Sequence, residues 1–472
     1  MNHSPQVKAN SLFSNSLFIF LTRFFPSLAS TVIVIYFSKN LNKDVYGAYQ
    51  NFWIQLNLLY PIACFGVHVL IITYSPPFLL KLKNWLSSNA YFVFGLWLML
   101  LSGLFALLQH RSLHLHFAIP YLFLFTFSLS FIFESILIVF KNFKTLVTVN
   151  MLYAAGFLFF HWYMLHYGYS LHWLFVCLLG VCLFRFIVYA IVTGVEMRKQ
   201  KDVATAQGIV IKDVRSLWLH LGLYDVVQNS SNWIDKFAIS VLFTVQVSAI
   251  YVNGTLNIPF LPILLSAAGS AVLLQLGNTN KDDNVAHSVS LVNQSGRLLS
   301  CVMFPVFFFF LCYRYEVFDV LFSGKYSQSV PLFLISILVI PVRAYSFTTI
   351  LQNRHKGSVI NTGAVGELLL ACGLMYPLYQ FMGLSGLALS FVISTYLQAG
   401  FYLFYTARIL NVKVFSLVPF ANWLIKLIVF AIVFIVIHYL SALYFTELIS
   451  LILGSIVCMI SILISLRIEL KK

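Results

Sequence analysis

The amino-acid sequence predicts an all-α integral membrane protein with about 14 transmembrane helices. Hydrophobic residues make up 60% of the 472 positions and charged residues only 9%, whereas soluble globular domains carry about 25% charged residues. Long apolar stretches recur from one end of the chain to the other, and each has the roughly 20 residues that a helix needs to cross a hydrocarbon core. Composition and segment length together therefore place this chain in a bilayer.

The breaks between the apolar stretches define fourteen predicted spans. A short polar head with Lys8 precedes the first span, which is too long for the hydrophobic region of a signal peptide, so we expect it to be retained. The spans lie near 11–38, 46–75, 88–109, 117–140, 146–166, 171–195, 214–245, 247–276, 295–314, 328–353, 358–381, 383–408, 416–441 and 444–466.

The distribution of positive charge predicts the orientation of the spans. The net charge of +15 is scattered over short loops rather than gathered into one basic patch. Most of the loop Lys and Arg residues fall on the side that holds the N-terminus, so the positive-inside rule places both termini in the cytoplasm. This distribution favours a role in membrane topology and gives no support to a nucleic-acid partner.

Several enzyme classes find no support in the sequence. All seven Cys residues lie within apolar runs and form no C-x-x-C motif, which predicts buried small side chains rather than a metal site. The sequence has no G-x-x-x-x-G-K-[ST], H-E-x-x-H or G-x-S-x-G motif, so an ATP-driven pump or a common hydrolase is not indicated. We therefore expect a transporter that needs no cofactor.

Ionisable side chains within the spans are the candidate functional residues. An ionised group near the bilayer centre costs at least about 2.5–3.5 kcal/mol on insertion scales, so each needs a partner or a hydrated cavity. Lys426 is expected to snorkel to the headgroups, and Arg185 is equally compatible with a cavity or with structural pairing. The groups are Arg23, Glu134, Arg185, Asp225, Asp235, Lys236, Arg343, Glu367 and Lys426.

The seventh span carries the longest polar stripe. Asp225, Asn229, Asn232 and Lys236 follow one another at i, i+4, i+7 and i+11, which places them on one helix face over roughly 16 Å. Such a stripe predicts a hydrated central cavity or, alternatively, a hydrogen-bonded seam between helices. Asp235 lies about 100° around the helix from Lys236 and is predicted to be a structural counter-ion or, alternatively, a transport residue.

Neighbouring spans offer further polar faces. Gln55 in the second span is spaced i, i+4 from Asn51, and Asn253 in the eighth span has the same spacing to Asn257. Three histidines within spans are expected to have packing or interface roles rather than to relay protons. They are His68, His161 and His220.

The two deep arginines suggest the chemistry of a ligand. Arg23 and Arg343 either line a cavity or pair structurally with Glu134 or Glu367. Guanidinium groups in a partly desolvated site suit phosphate or carboxylate, which they bind in a bidentate manner. Asn, Gln, Ser and Tyr side chains suit hydroxyl-rich ligands. The combination predicts a sugar phosphate carried on a lipid.

Four segments carry a resemblance to a known family. They are FSKNLNKDVYGAYQNFWIQ at 37–55, WIDKFAISVLF at 233–243 with the following 248–262, the 315–357 segment with its Phe-Ser-Gly-Lys-Tyr turn, and GLSGLALSFVISTY at 383–396. In this order and spacing the chain resembles the polysaccharide (O-antigen type) flippases of the multidrug/oligosaccharidyl-lipid/polysaccharide (MOP) exporter superfamily. Only Asp235 and Lys236 carry over from the family motif residue by residue.

The resemblance implies an architecture and an activity. Two six-helix lobes related by a pseudo-twofold axis would occupy 1–195 and 214–408, joined by a cytoplasmic linker at 196–213 and followed by two extra helices and a cytoplasmic tail at 409–472. The family moves undecaprenyl-diphosphate-linked oligosaccharide across the bacterial inner membrane by alternating access, without ATP hydrolysis. The implied partners are this lipid-linked substrate and the bilayer, with a polysaccharide polymerase and chain-length machinery as candidates.

The predicted site residues divide by role. The diphosphate and any acidic sugar are assigned to Arg23, Arg343 and Lys236. Sugar hydroxyls are assigned to Asn229, Asn232, Asn253 and Gln55, and ion coupling is assigned to Asp225, Glu367 or Glu134.

Two alternatives remain open at the level of sequence. A cation-coupled multidrug exporter of the same superfamily would use acidic groups for cationic amphiphiles, and Asp225 and Glu134 are compatible with it. A membrane polysaccharide polymerase or ligase is less well supported, because the predicted topology has no extended outward loop.

Overall fold

The computed structural model describes residues 5–74, 76–199, 211–256, 258, 260–277, 285–354 and 356–471. Across these residues the chain is nearly all helical, without β-strands, and nine helices are long and apolar enough to cross a membrane. The predicted fold class is confirmed. Asn257 and much of the predicted linker, at 200–210, lie outside the described residues.

The first part of the chain forms nine helices within its described residues. They are α1 (Pro5–Asn40), α2 (Lys43–Cys64), α3 (Val67–Ile72), α4 (Pro76–Trp85), α5 (Ser88–Leu113), α6 (Ala118–Val139), α7 (Phe143–Tyr167), α8 (Leu171–Lys199) and α9 (Ile211–Leu242).

The second part contains shorter helices between the long ones. They are α10 (Val245–Gly254), α11 (Phe260–Gly277), α12 (Val285–Cys312), α13 (Arg314–Phe322), a 3-10 turn (Ser327–Ser329), α14 (Val330–Ile337), α15 (Val339–Val342), α16 (Thr349–Asn353), α17 (Gly357–Met382), α18 (Leu384–Leu410), α19 (Val414–Leu417), α20 (Phe420–Tyr444) and α21 (Glu447–Leu470).

Three predicted spans are broken helices. The second consists of α2 and α3, the eighth of α10 and α11, and the tenth of α14, α15 and α16. In the second span the break falls at Phe65 and Gly66, which both have positive φ angles. Such a conformation ends a helix and suits glycine. Broken helices within a membrane protein expose backbone polar groups, so they are tolerated where protein or a water-filled cavity surrounds them.

The chain divides into two compact units. The first comprises residues 1–233 and 240–246, and the second comprises residues 234–239 and 247–472. Helix α9 contributes residues to both. The predicted lobe boundaries at 195 and 214 stay a prediction.

Aromatic side chains fill the core of the first unit. Phe52 is fully buried and packs on Phe105, Phe123 and Phe175, with ring centroids 5.1, 5.1 and 4.2 Å away. His161 is also fully buried and hydrogen-bonds the Tyr49 hydroxyl at 2.9 Å, as expected for a packing residue.

In the second unit, the last two long helices are anchored to α12 through a buried lysine. The Lys426 ammonium donates to the carbonyl oxygen of Arg297 at 2.7 Å and to the hydroxyl of Ser300 at 2.9 Å. It also forms an ion pair of 3.3 Å with Glu469 of α21. The expectation that Lys426 snorkels was wrong, because nearby acceptors satisfy this ammonium group within the protein.

Candidate functional site

The predicted site residues fall into two sets, one in each unit. The first unit holds Arg23, Gln55, Glu134, Asp225, Asn229 and Asn232. The second unit holds Asp235, Lys236, Asn253, Arg343 and Glu367. Their proposed roles stay predictions.

Asp225 on α9 faces His68 on α3. The His68 Nε2 atom lies 3.7 Å from Asp225 Oδ2, and the two side chains are 14% and 13% exposed. Asn229, one turn further along α9, donates to the other carboxylate oxygen of Asp225 at 3.1 Å. The interaction with His68 was not expected from the sequence, where this histidine was assigned a packing role.

The break between α2 and α3 sets the position of His68. A Cβ atom on Gly66 would lie 2.3 Å from the Cα of Gly222, so the two backbones are in direct contact. The Trp218 indole donates to the Phe65 carbonyl at 2.9 Å, which satisfies an acceptor freed by the helix break. The start of α3 is thereby docked on α9, and His68 follows Gly66 by two residues.

Arg23 of α1 contributes positive charge to the same neighbourhood. Its electrostatic field acts on His68 and on Tyr60 of α2. The side chain is exposed, and it forms no ion pair with any residue that the structure describes. A guanidinium group in this setting is available to an anionic ligand.

Glu134 does not pair with Arg23. Its carboxylate forms an ion pair with Arg185 of α8, and both side chains are buried. The Arg185 guanidinium also lies over the rings of Phe131, Tyr153 and Tyr189, at 5.4, 5.2 and 5.5 Å from their centroids, an arrangement that stabilises a desolvated cation. This environment favours a structural role for Arg185 and leaves ion coupling by Glu134 with little geometric support.

The amides of the first unit make mostly local contacts. Asn229 and Asn232 each donate to a backbone carbonyl four residues earlier on α9, at 2.9 Å. Neither amide bonds to another helix within the described ranges, so these two residues do not form the alternative interhelical seam. Gln55, in contrast, is buried and accepts from Gln109 of α5 at 2.7 Å.

In the second unit, Asp235 is held by two donors. The Tyr251 hydroxyl of α10 donates to Asp235 Oδ2 at 2.9 Å, and the Lys236 ammonium lies 3.5 Å from the same oxygen. All three side chains are buried. This geometry supports the proposed role of Asp235 as a counter-ion, and it places Lys236 beside a negative charge. Asn253, two residues after Tyr251 on α10, is also buried.

Glu367 of α17 is the acidic centre of a polar cluster. Thr395 and Gln398 of α18 donate to its two carboxylate oxygens at 3.0 and 2.8 Å. Arg343, at the end of α15, acts on Glu367 electrostatically, yet its guanidinium makes neither an ion pair nor a hydrogen bond with the residues described here. The cluster holds Glu367 in place and leaves the charge of Arg343 only partly compensated.

Comparisons with known proteins identify the fold. No protein-family model and no curated protein sequence matches the chain. Among solved structures, the lipid II flippase MurJ in its inward closed conformation matches with a TM-score of 0.67 and 16% identity, over 96% of this chain and 98% of that protein. The MATE transporter VcmN of Vibrio cholerae, in the bent form, matches with a TM-score of 0.53 and 13% identity, over 85% and 97%.

An inward-facing multidrug resistance MATE transporter of the MOP superfamily also matches, with a TM-score of 0.52 and 13% identity over 83% of this chain and 98% of that one. The chain has a MOP-type fold. The fold agrees with the one that the sequence resemblance implied, while membership of the superfamily and of the narrower O-antigen flippase family stays a prediction. These three similar structures are one flippase and two transporters.

Proposed function

We propose that this protein is a flippase for lipid-linked oligosaccharide in a bacterial inner membrane, serving O-antigen or a similar surface polysaccharide, with both termini in the cytoplasm. The observation that carries the proposal is the state of Arg23 and Arg343. Each guanidinium lies in a predicted span, and neither forms an ion pair with a described residue. Since a cation within the membrane needs a counter-charge, an anionic substrate group is the natural partner for each.

The expected substrate carries phosphate and hydroxyl groups. Arg23 and Arg343 each present a planar donor that suits a diphosphate or an acidic sugar. Lys236, beside Asp235, adds a further cation. Gln55, Asn229, Asn232 and Asn253 supply amides for sugar hydroxyls, and Asp225, Glu367 or Glu134 would couple turnover to an ion. The similarity to a lipid II flippase, a protein whose substrate is also lipid-linked, supports this substrate class.

Alanine substitution tests this function. In a strain that lacks the chromosomal copy, we expect Arg23→Ala and Arg343→Ala to abolish surface polysaccharide and to leave single repeat units on the lipid in the inner leaflet. Arg111→Ala is the matched control, since Arg111 is exposed at the end of α5. Normal surface polysaccharide in both variants, at wild-type protein levels, would contradict the assignment.

A second candidate is a cation-coupled multidrug exporter. Two of the matched structures are MATE transporters, and Asp225 Oδ2 is buried without a hydrogen-bond partner among the described residues. An exporter of this kind would make a deletion strain sensitive to cationic amphiphiles while its surface polysaccharide stayed intact. A polymerase would instead leave unpolymerised repeat units on the outer leaflet.

A further inference from the structure

The contact between α3 and α9 contains a histidine–carboxylate pair that is poised for one more proton. His68 Nε2 and Asp225 Oδ2 lie 3.7 Å apart, which is longer than the roughly 2.7–2.9 Å of a charge-assisted hydrogen bond. In the part of the chain that the structure describes, Asp225 Oδ2 has no hydrogen-bond partner, and neither has His68 Nδ1. The pair is thus incompletely satisfied as it stands.

We propose that His68 and Asp225 together bind one proton and that its binding tightens the docking of α3 on α9. The proton comes from water and forms an O–H bond at Asp225 Oδ2, while His68 stays a neutral imidazole. The pair changes from a net charge of −1 to zero. The new O–H donates to His68 Nε2, and rotation of the two side chains brings these atoms from 3.7 Å to hydrogen-bond distance, which adds a bond between the two helices.

The surroundings of this pair make its charge depend on pH. Arg23 of α1 faces His68 and opposes a second positive charge there. Tyr60 and Cys64 of α2 face Asp225 without carrying charge of their own near neutral pH. Glu134 of α6 is already neutralised by Arg185. His68 and Asp225 are themselves largely buried, and burial disfavours the charged form of each group. These surroundings therefore favour a neutral imidazole beside a carboxylate that can take up a proton.

The helix break makes the docking of α3 on α9 depend on the His68–Asp225 contact. Helix α3 has only six residues and begins at the positive-φ pair Phe65 and Gly66. Its first residues are held on α9 by the Gly66–Gly222 contact and by the Trp218 hydrogen bond. Beyond these contacts at its first residues, the short α3 is held on α9 by the His68–Asp225 contact, so the strength of that contact controls how firmly the rest of α3 is docked. The His68–Asp225 pair thereby links proton binding to α3, the second helix of the second span.

The pair also connects the proton to the proposed substrate. When the pair holds no proton, the Asp225 carboxylate offsets the field of Arg23; when the pair holds a proton, this negative charge is absent. Proton binding and anion binding at Arg23 are then expected to favour each other, as linkage requires. This last step rests on the proposed function, whereas the proton site itself does not.

Hydrogen–deuterium exchange of the full-length protein in lipid nanodiscs tests the proton site. After correction for intrinsic rates, we expect amides of 67–72 to exchange at least several-fold more slowly as the pH falls from about 8 to 5, a range in which a buried carboxyl group can take up a proton. His68→Gln and Asp225→Asn should each flatten this profile, whereas the exposed His220→Gln on the same α9 should leave it unchanged.

The outcomes separate this inference from the proposed function. A flat profile in the wild-type protein, or an unaltered profile in His68→Gln and Asp225→Asn, would overturn the proton site whatever the substrate. The exchange measurement needs no substrate, so normal surface polysaccharide in both the Arg23→Ala and the Arg343→Ala strains would overturn the flippase assignment and not the proton site.

Discussion

Gly66 and Gly222 are in direct backbone contact: a Cβ atom on Gly222 would lie 2.7 Å from the Phe65 carbonyl oxygen, and one on Gly66 would lie 2.3 Å from the Gly222 Cα. This contact joins the break in the second span to α9. It therefore fixes the position of His68 relative to Asp225. Two glycines in different spans thus set the geometry of a titratable pair.

Gly222→Ala should loosen this contact. Because the added methyl meets backbone that cannot turn aside, we expect a loss of about 1–3 kcal/mol in stability, measured as a lower midpoint of thermal unfolding in detergent. Gly180→Ala on α8 is the matched control, since its Cβ would meet nothing within 4 Å. There the substitution removes only the entropic cost of a helical glycine and should be neutral or stabilising. Equal midpoints in the two variants would contradict the close contact.

The buried pair of Glu134 and Arg185 should behave as a unit. Arg185→Met alone leaves an uncompensated buried carboxylate, which costs about 3–5 kcal/mol. The double variant Glu134→Gln with Arg185→Met removes both charges and should recover much of that loss. A double-mutant cycle of unfolding midpoints measures the coupling. Additive effects would indicate that the two groups do not interact.

Lys426→Met distinguishes a buried ammonium group from one at the membrane surface. In the structure the ammonium binds Ser300 and Glu469, so the substitution should destabilise the protein by removing the cation beside the buried Glu469 carboxylate. A second substitution, Glu469→Gln, should restore part of the stability. If Lys426 reached the headgroups instead, the single variant would unfold at the wild-type temperature.

Tyr251→Phe removes the hydroxyl that donates to Asp235. We expect a loss of about 1.5–3 kcal/mol, the range for hydrogen bonds to charged groups. Asp235 would then depend more heavily on Lys236, which reduces the ability of Lys236 to bind an anion. Surface polysaccharide should fall, and the unfolding midpoint should fall with it. Tyr376→Phe, at an exposed tyrosine of α17, serves as the control and should change neither.

Several features of the fold could be predicted because they depend on local composition. The apolar stretches predicted the positions of the long helices α5 to α8, α17, α18, α20 and α21 to within a few residues. The stretches also ran across the breaks in the second, eighth and tenth spans, because hydrophobicity alone does not distinguish a straight helix from two short ones. At Phe65 and Gly66 the deciding signal is backbone conformation, which a mean hydropathy does not contain.

The candidate site was harder to predict. The residue types were identified, since a charge within a span stands out in a sequence that is only 9% charged. Their partners were not. The sequence suggested Glu134 as a partner for Arg23 or Arg343, whereas the structure pairs it with Arg185. His68, Trp218 and Tyr251 gave no signal beyond their residue type, because a histidine or an aromatic residue in an apolar run usually belongs to the core.

The sequence by itself determined that this chain is a helical membrane protein, because transfer of long apolar segments into a bilayer depends only on local composition. Only the tertiary structure decided which groups the buried charges face: Glu134 pairs with Arg185, Lys426 pairs with Glu469, and Asp225 faces His68. Each pair joins residues that are far apart in the chain. The energy of an ion pair depends on the distance between the groups and on their desolvation, and both are set by which helices pack together.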